Sequence, residues 1–456
     1  VSSTRFELKR LAVLATPVVI TQVTSMLMGV VDILMVGHVS VNALGAASLG
    51  RLWVFGTSLF GMGVVFGLDP LVTQAHGAGD TRRLAVATQR GAVLALALGL
   101  PLGILWLFTD RVLLLLGQSH DLAALAQSYV TVQIPSIPAI LLFAVIRQHL
   151  QGRAIMRPAM WTAIFANGVN VLLNWVLIFG HWGAPAMGLT GAGIATAITR
   201  WFMFGTLLFI TLRFRLHEGG WVPWSREAIR FSGLREILHY GLPVGLQISF
   251  EVWAFEITTL MSGRLGAVPL AAHTIALNLA SLSFMVPLGI SGAAVTRVGN
   301  LIGEGRPRDA QRASWVALAM GAGVMTVSAV AFVVLRGLIP RIYTADAAVV
   351  AAAAGILPIA GAFQIFDGTQ VVGTGVLRGM GRTRPAATIY LVGYYVLALP
   401  MAWWLGFRLG LGLPGVWWGL CLGLASVAIM LVAWIWRRGP AKLPDASVLA
   451  SEAPAP

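Results

Sequence analysis

Residues 11–36 read LAVLATPVVITQVTSMLMGVVDILMV, with Asp32 as their one charged residue. A helix of that length rises about 39 Å, enough to cross the roughly 30 Å hydrocarbon core of a bilayer. Runs of the same kind recur, for example at Leu84–Phe108, Ala313–Leu335 and Val416–Ile435. In lipid each must be a helix, because its backbone N–H and C=O groups have to be satisfied internally; a closed barrel would show short alternating strands instead. The whole chain agrees. Of its 456 residues 57% are hydrophobic and 11% charged, against about 25% charged in soluble domains. So few charges cannot cover a soluble surface, and the sequence reads as an all-α polytopic membrane protein.

Twelve spans follow, near 11–36, 43–68, 87–108, 126–148, 158–181, 187–212, 238–262, 269–294, 313–335, 349–376, 385–407 and 412–436. Alternate loops differ sharply in basic residues. One side carries twenty-four, from Arg5 to Lys442, and the other only Arg111, Arg264, Arg336, Arg341 and Arg408; Arg51 and Arg200 fall within spans. The excess of loop Lys and Arg on the cytoplasmic side places both termini in the cytoplasm of a bacterial inner-membrane protein. The net charge of +14 is therefore an orientation signal and not a nucleic-acid footprint. Cys421 stands alone in the last run, and the eight histidines are scattered without ligand spacing, so no disulfide framework, metal site or cofactor is expected. Residues 1–10 are polar and lack a cleavage site, and read as a cytosolic lead-in to the first span.

The two halves repeat at an offset of 226. Pro17 falls on Pro243, Leu34-Met35-Val36-Gly37 on Leu260-Met261-Ser262-Gly263, Gly63 on Gly289, and Gly77-Ala78-Gly79 on Gly303-Glu304-Gly305. One residue later the register resumes, with Arg157-Pro158 on Arg384-Pro385. Six spans per half insert the same way up, which makes the halves parallel repeats with a binding site where they meet. The expected division is a first lobe at 1–212, a cytosolic linker at 213–237, a second lobe at 238–438 and a disordered tail at 439–456. The linker is either a plain connector or an amphipathic surface helix.

Four carboxylates lie well inside spans: Asp32, Glu251, Glu256 and Asp367. Each costs about 2.5–3.5 kcal/mol at the bilayer centre on insertion scales, so it faces an interior cavity and has a task, or else is hydrogen-bonded merely to fix packing. Asp69 sits at a cytosolic helix end that water reaches. Glu251 lies eleven residues past Tyr240 and Asp367 eleven before Arg378, so both sit roughly 16 Å deep in the second half. Two carboxylates at one depth suit a shared proton, and a bridging Na⁺ equally well. Glu251 and Glu256 are five apart, about 140° around a helix, and cannot share a face. Asn167, Asn170 and Asn174 form a stripe on the fifth span, while Gln247, Asn278 and Gln370 mark the second half; such residues serve as interhelical glue or as cavity lining.

Four stretches together resemble the multidrug and toxic compound extrusion (MATE) family over roughly 10–436. They are Val30-Val31-Asp32-Ile33-Leu34-Met35-Val36-Gly37-His38, Gln74-Ala75-His76-Gly77-Ala78-Gly79-Asp80, Phe250-Glu251-Val252-Trp253-Ala254-Phe255-Glu256, and Phe366-Asp367 through Val376-Leu377-Arg378-Gly379-Met380-Gly381. The acidic seventh span looks like that of NorM-like members. The resemblance implies a MATE/MOP-like fold that exports organic cations and drugs against H⁺ or Na⁺ by alternating access of two lobes, as a monomer. It assigns Asp32, with Asn174 near it, to the first lobe, and Glu251 with Asp367 to a coupling-ion site in the second. Asn170, Gln247, Glu256 and Asn278 are then candidates to line the substrate cavity. Asn278 departs from members that carry a further acid there, which leaves the ion open.

Other classes fit less well. A lipid-linked oligosaccharide flippase of the same superfamily needs basic residues in its cavity, for which Arg51 and Arg200 are the candidates. An intramembrane enzyme needs a nucleophile–base set or metal ligands within the spans, and the sequence offers neither. Reporter fusions placed after Gly219 and after Arg438 are expected to read cytosolic; an external reading at either position overturns the orientation.

Overall fold

The computed structural model describes residues 3–443, and no strand occurs among them. Among the described residues there are twelve long helices: α1 (Thr4–Gly37), α2 (Asn42–Gly77), α3 (Thr81–Leu107), α4 (His120–Gly152), α5 (Arg157–Phe179), α6 (Gly188–Arg213), α7 (Phe231–Arg264), α8 (Ala267–Gly303), α9 (Pro307–Val334), α10 (Ala347–Gly379), α11 (Thr383–Arg408) and α12 (Gly412–Arg438). Eleven are long and apolar enough to cross a membrane. The twelfth, α7, is longer than most but carries Gln247, Glu251 and Glu256 in its apolar stretch. Each expected span maps onto one helix. The helices mostly run on past the apolar stretch at their arginine-rich ends, since a helix satisfies its own backbone whether or not lipid surrounds it.

The repeat is visible in the elements. Helices α1 and α7 both span 34 residues and enclose Pro17 and Pro243 at equivalent places. Short helices, Thr109–Leu115 and Ile339–Tyr343, follow α3 and α9. The halves also differ. Helix α2 breaks at Gly67, where a Cβ would lie 2.5 Å from the Ile237 carbonyl oxygen, while α8 runs unbroken for 37 residues. Helix α11 widens into π-helix at Leu391–Ala398 and Trp404–Arg408.

The helices gather into two compact units. The first-half unit comprises Ile20–Val72 and Asp80–Gly245; the second-half unit comprises Val1–Val19, Thr73–Gly79 and Leu246–Pro456. These units are drawn by contact, whereas lobes at 1–212 and 238–438 are drawn by repeat, and the two partitions differ at the starts of α1 and α7 and the end of α2. The physical reason lies in close packing at small residues, which lets helix backbones approach. In the second-half unit a Cβ at Gly289 would meet Val19 at 2.3 Å, one at Gly77 would lie 2.0 Å from the Asn300 carbonyl, and Gln74 Nε2 donates to the Gly379 carbonyl at 3.0 Å. In the first-half unit a Cβ at Gly241 would lie 2.0 Å from the Val64 carbonyl.

The segment joining α6 to α7 is a pinned connector with a single 3₁₀ turn at Arg226–Ile229. Gln89 donates to the Val222 carbonyl at 2.8 Å, Arg153 Nη2 to the Glu218 carbonyl at 2.6 Å, and Arg82 pairs with Glu227 at 2.6 Å. Of the tail expected to be disordered, Pro440–Lys442 makes one 3₁₀ turn whose Ala441 amide donates to Gln311 Oε1 at 3.3 Å. Residues 444–456 lie outside the described residues.

One ion pair anchors the start of α1 in the second-half unit. Arg297 of α8 grips Glu7 bidentately, Nε at 2.8 Å and Nη2 at 2.7 Å, with the Glu7 side chain fully buried and that of Arg297 11% exposed. Removing one partner of such a pair strands a buried charge, at a cost of about 3–5 kcal/mol. Glu7→Gln is therefore expected to lower the melting temperature of the detergent-solubilised protein, with partial recovery in the Glu7→Gln/Arg297→Gln double variant. Equal melting for all three proteins would show that the pair does not anchor the helix.

Candidate functional site

Helix α10 is central to the second-half unit, and its glycines make it so. Cβ atoms at Gly361 and Gly368 would press on the Ala329 and Gly321 carbonyls of α9 at 3.1 and 3.0 Å, and those at Gly375 and Gly379 on α8 at the Ser291 and Val295 carbonyls, at 2.6 and 2.7 Å. With that side taken by close packing, Asp367, Gln370 and Thr374 form an i, i+3, i+7 row that looks toward α7 and α11.

Two carboxylates meet on this row. Gln370 Nε2 lies 2.7 Å from Glu251 Oε1, 3.0 Å from Asp367 Oδ1 and 3.1 Å from the Tyr394 hydroxyl. The Tyr394 hydroxyl donates to Glu251 Oε1 at 3.3 Å. Tyr390, one turn earlier on α11, lies 3.1 Å from Thr374 Oγ1. Gln247, one turn before Glu251, reaches the Tyr390 hydroxyl. Asp367, Gln370, Tyr390 and Tyr394 are buried. Among the described residues neither carboxylate has an Arg, Lys or His partner. Two acids joined by one amide, with no fixed cation beside them, leave negative charge that a cation from outside the protein could offset.

The sequence-derived candidates divide around it. Glu251, Asp367 and Gln247 come together. Glu256 faces another way, as the five-residue spacing requires; it is half-buried and has no hydrogen-bond or ion partner among the described residues. Asn278 is exposed on α8, apart from the cluster. Thr374, Tyr390 and Tyr394 were not among the expected residues. Thr374 extends the same row as Asp367 and Gln370, and the two tyrosines are four apart in an otherwise apolar span; both spacings were present in the sequence.

In the first-half unit the asparagine stripe of α5 faces α1. Asn174 Nδ2 donates to Asp32 Oδ1 at 2.6 Å and to Asn170 Oδ1 at 3.1 Å, and Asn167 donates to the Thr24 carbonyl at 2.6 Å. Asp32 also lies within electrostatic reach of Arg51 on α2 and Arg200 on α6. Arg51 and Arg200, which the sequence places within spans, thus both act on the partly buried Asp32 of this unit. Arg51 finds room because α1 has glycine at 29, where its Nη1 donates to the backbone carbonyl and a Cβ would stand 2.1 Å from Nη2. Asp69 needs a correction. It is buried, not washed by water, and accepts a hydrogen bond from Gln148.

Comparison with known proteins follows this geometry. The MatE family model matches twice, at residues 17–176 and 243–404, the second match beginning at the residue that repeats the first. The multidrug resistance protein NorM of Burkholderia vietnamiensis is 36% identical over 427 residues, 92% of each chain. The multidrug resistance protein MdtK of Yersinia pestis (strain Pestoides F) is 34% identical over 455 residues, covering 97% of this chain and 98% of its own. The crystal structure of the eukaryotic MATE transporter AtDTX14 superposes with a TM-score of 0.88 at 25% identity, over 96% of this chain and 97% of that one. With the family model covering both halves and relatives aligned almost end to end, this chain belongs to the MatE family.

Proposed function

We propose that this protein is a secondary active multidrug exporter of the bacterial inner membrane, antiporting organic cations and drugs against H⁺ or Na⁺ by alternating access. The observation that carries the reading is the Glu251–Gln370–Asp367 arrangement, two acids without a basic partner at the centre of the second-half unit. The names of the NorM and MdtK relatives support the multidrug part. Loading the pair with H⁺ or Na⁺ cancels charge that is costly in a low-dielectric interior, and unloading restores it. The pair thus gives the unit two electrostatic states that an ion gradient can drive. In this reading the protein works as a monomer with both termini in the cytoplasm. Asp32 with Asn170 and Asn174 forms a polar cluster in the first lobe; Gln247 orders the ion site, and Glu256 and Asn278 line the substrate path.

In proteoliposomes the wild type is expected to export ethidium under an imposed Na⁺ gradient or an imposed pH gradient, and the gradient that works identifies the ion. Ethidium that moves under neither gradient overturns the antiport reading.

Asp367→Asn and Glu251→Gln should each remove gradient-driven efflux while leaving expression and membrane insertion intact. The double variant should be little worse than either single one, because two groups that share one ion act as a unit and their losses do not add. Efflux that survives both substitutions yet fails in Asp32→Asn would move coupling to the first lobe.

A further inference from the structure

The segment joining α6 to α7 is folded back to the level of the bilayer boundary. Gly91–Leu107 of α3 is a run of seventeen residues without a polar side chain other than the Trp106 indole, about 25 Å along the helix, so its first residues mark one edge of the hydrocarbon. Gln89 and Arg90 stand immediately before that run, and both hold the connector. Gln89 Nε2 donates to the Val222 carbonyl at 2.8 Å and more weakly to that of Pro223 at 3.4 Å, and Arg90 Nε donates to the Glu227 carbonyl at 3.2 Å. The connector at 222–227 therefore lies level with the edge of the apolar run, about 12 Å along α3 from its first residue, and not out beyond the helix ends.

At that level the connector presents side chains that are apolar or positive. Trp224, Ile229 and Phe231 are 58%, 66% and 76% exposed. Arg226 and Arg230 are exposed among them, and among the described residues neither side chain has a hydrogen-bond acceptor or an ion-pair partner. The acids of the segment are taken up by other arginines: Glu218 by Arg215, Glu227 by Arg82 and Glu236 by Arg90. The exposed groups also stand on a fixed base. Ala228, between the two arginines, is fully buried, and Trp221 backs the Trp224 ring edge-on with centroids 5.8 Å apart. Water is a poor solvent for three such apolar side chains, and hydrocarbon is a poor one for a guanidinium. The headgroup layer suits both, because indole and phenyl rings settle there and phosphate oxygens match the parallel N–H groups of an arginine fork.

We propose that the connector is a lipid-binding element: Trp224, Ile229 and Phe231 enter the leaflet beside the arginine-rich end of α3, and Arg226 with Arg230 binds the phosphate of an anionic phospholipid. The inference goes beyond the export reading, since it concerns the solvent the protein sits in and not what it carries. An anionic headgroup is favoured over a zwitterionic one because the latter brings its own cation, which competes with the arginines for the phosphate. Apolar contact and charge then act together, as they do for amphipathic segments that lie on a membrane surface.

The test titrates phosphatidylglycerol into the detergent-solubilised full-length protein and reads the lipid concentration at half the rise in melting temperature. Phosphatidylcholine of the same acyl chains is the reference, and phosphatidylglycerol is expected to act at the lower concentration. Arg226→Gln/Arg230→Gln should raise the phosphatidylglycerol midpoint about twenty- to thirty-fold, roughly fivefold for each arginine near a membrane surface, and leave that of phosphatidylcholine in place. Arg437→Gln/Arg438→Gln, which removes two exposed arginines at the end of α12, should leave both midpoints in place. No preference for phosphatidylglycerol in the wild type, or an unmoved midpoint in the connector variant, overturns the inference. Equal displacement in both variants overturns it too, since net charge alone then attracts the lipid. Depth is read separately, on protein that keeps both arginines. With Cys421→Ala removing the buried native thiol, a nitroxide on Ile229→Cys is placed in liposomes of phosphatidylethanolamine and phosphatidylglycerol. It should collide more often with oxygen, which concentrates in the bilayer, than with a water-soluble nickel chelate. The reverse order puts the connector in water, open to a soluble protein partner instead, and overturns the inference.

Discussion

Charge inside hydrocarbon is the constraint on which the rest of this structure turns. An ionised side chain taken out of water must find a compensating group or lose its charge, and three acidic places in this protein are compensated to different degrees. Glu7, ahead of the first apolar run but buried in the protein, is compensated by a bidentate arginine. Asp32 is compensated in part, by two amide-bearing residues of α5 and by arginines of α2 and α6. Glu251 and Asp367 share a glutamine, and Glu251 also accepts from a tyrosine, neither of which carries charge. Compensation thus falls from complete, to partial, to absent across the three places.

The packing serves that gradation. Close approach of backbones at Gly361, Gly368, Gly375 and Gly379 commits one side of α10 to its neighbours and so frees the other for polar side chains. The π-helical stretch of α11 carries Tyr394 into the same space, and local widening of a helix of this kind recurs where a side chain has to be re-aimed for function. Close packing around the carboxylates also lowers the local dielectric, which raises the cost of leaving either one charged without a partner.

Much of this was legible in the sequence, because the signals were periodic or costly. Apolar runs gave the number of helices, and the 226-residue offset gave the repeat that the family model now matches twice. Intramembrane acids marked Glu251, Asp367 and Asp32, and the family resemblance put Asn174 of α5 near Asp32 of α1. What escaped was whatever depends on which helix neighbours which. Arg51 and Arg200 look like strays in a count of loop charges, since nothing in one dimension says they meet Asp32. Tyr390 and Tyr394 are ordinary aromatic residues of a membrane helix until α10 is seen beside them. Asp69 was misjudged because a position at a helix end says nothing about what packs over it. The contact units could not be read either, since they follow close glycine contacts that cross the repeat boundary.

The Glu7–Arg297 pair joins residues 290 positions apart, and this has a bearing on biogenesis. At about 5–20 residues per second of synthesis, the start of α1 waits roughly 15–60 s before its partner leaves the ribosome. During that interval a helix that has already entered the membrane holds an uncompensated carboxylate near its first turn. Its final position is settled only after two-thirds of the chain has been made. The nascent protein therefore passes through a long-lived intermediate with high contact order, in which whatever shelters Glu7, whether headgroups, water or the insertion machinery, takes the place of Arg297. Newly made chain should be most vulnerable to quality-control proteolysis before α8 emerges and least vulnerable once it has docked.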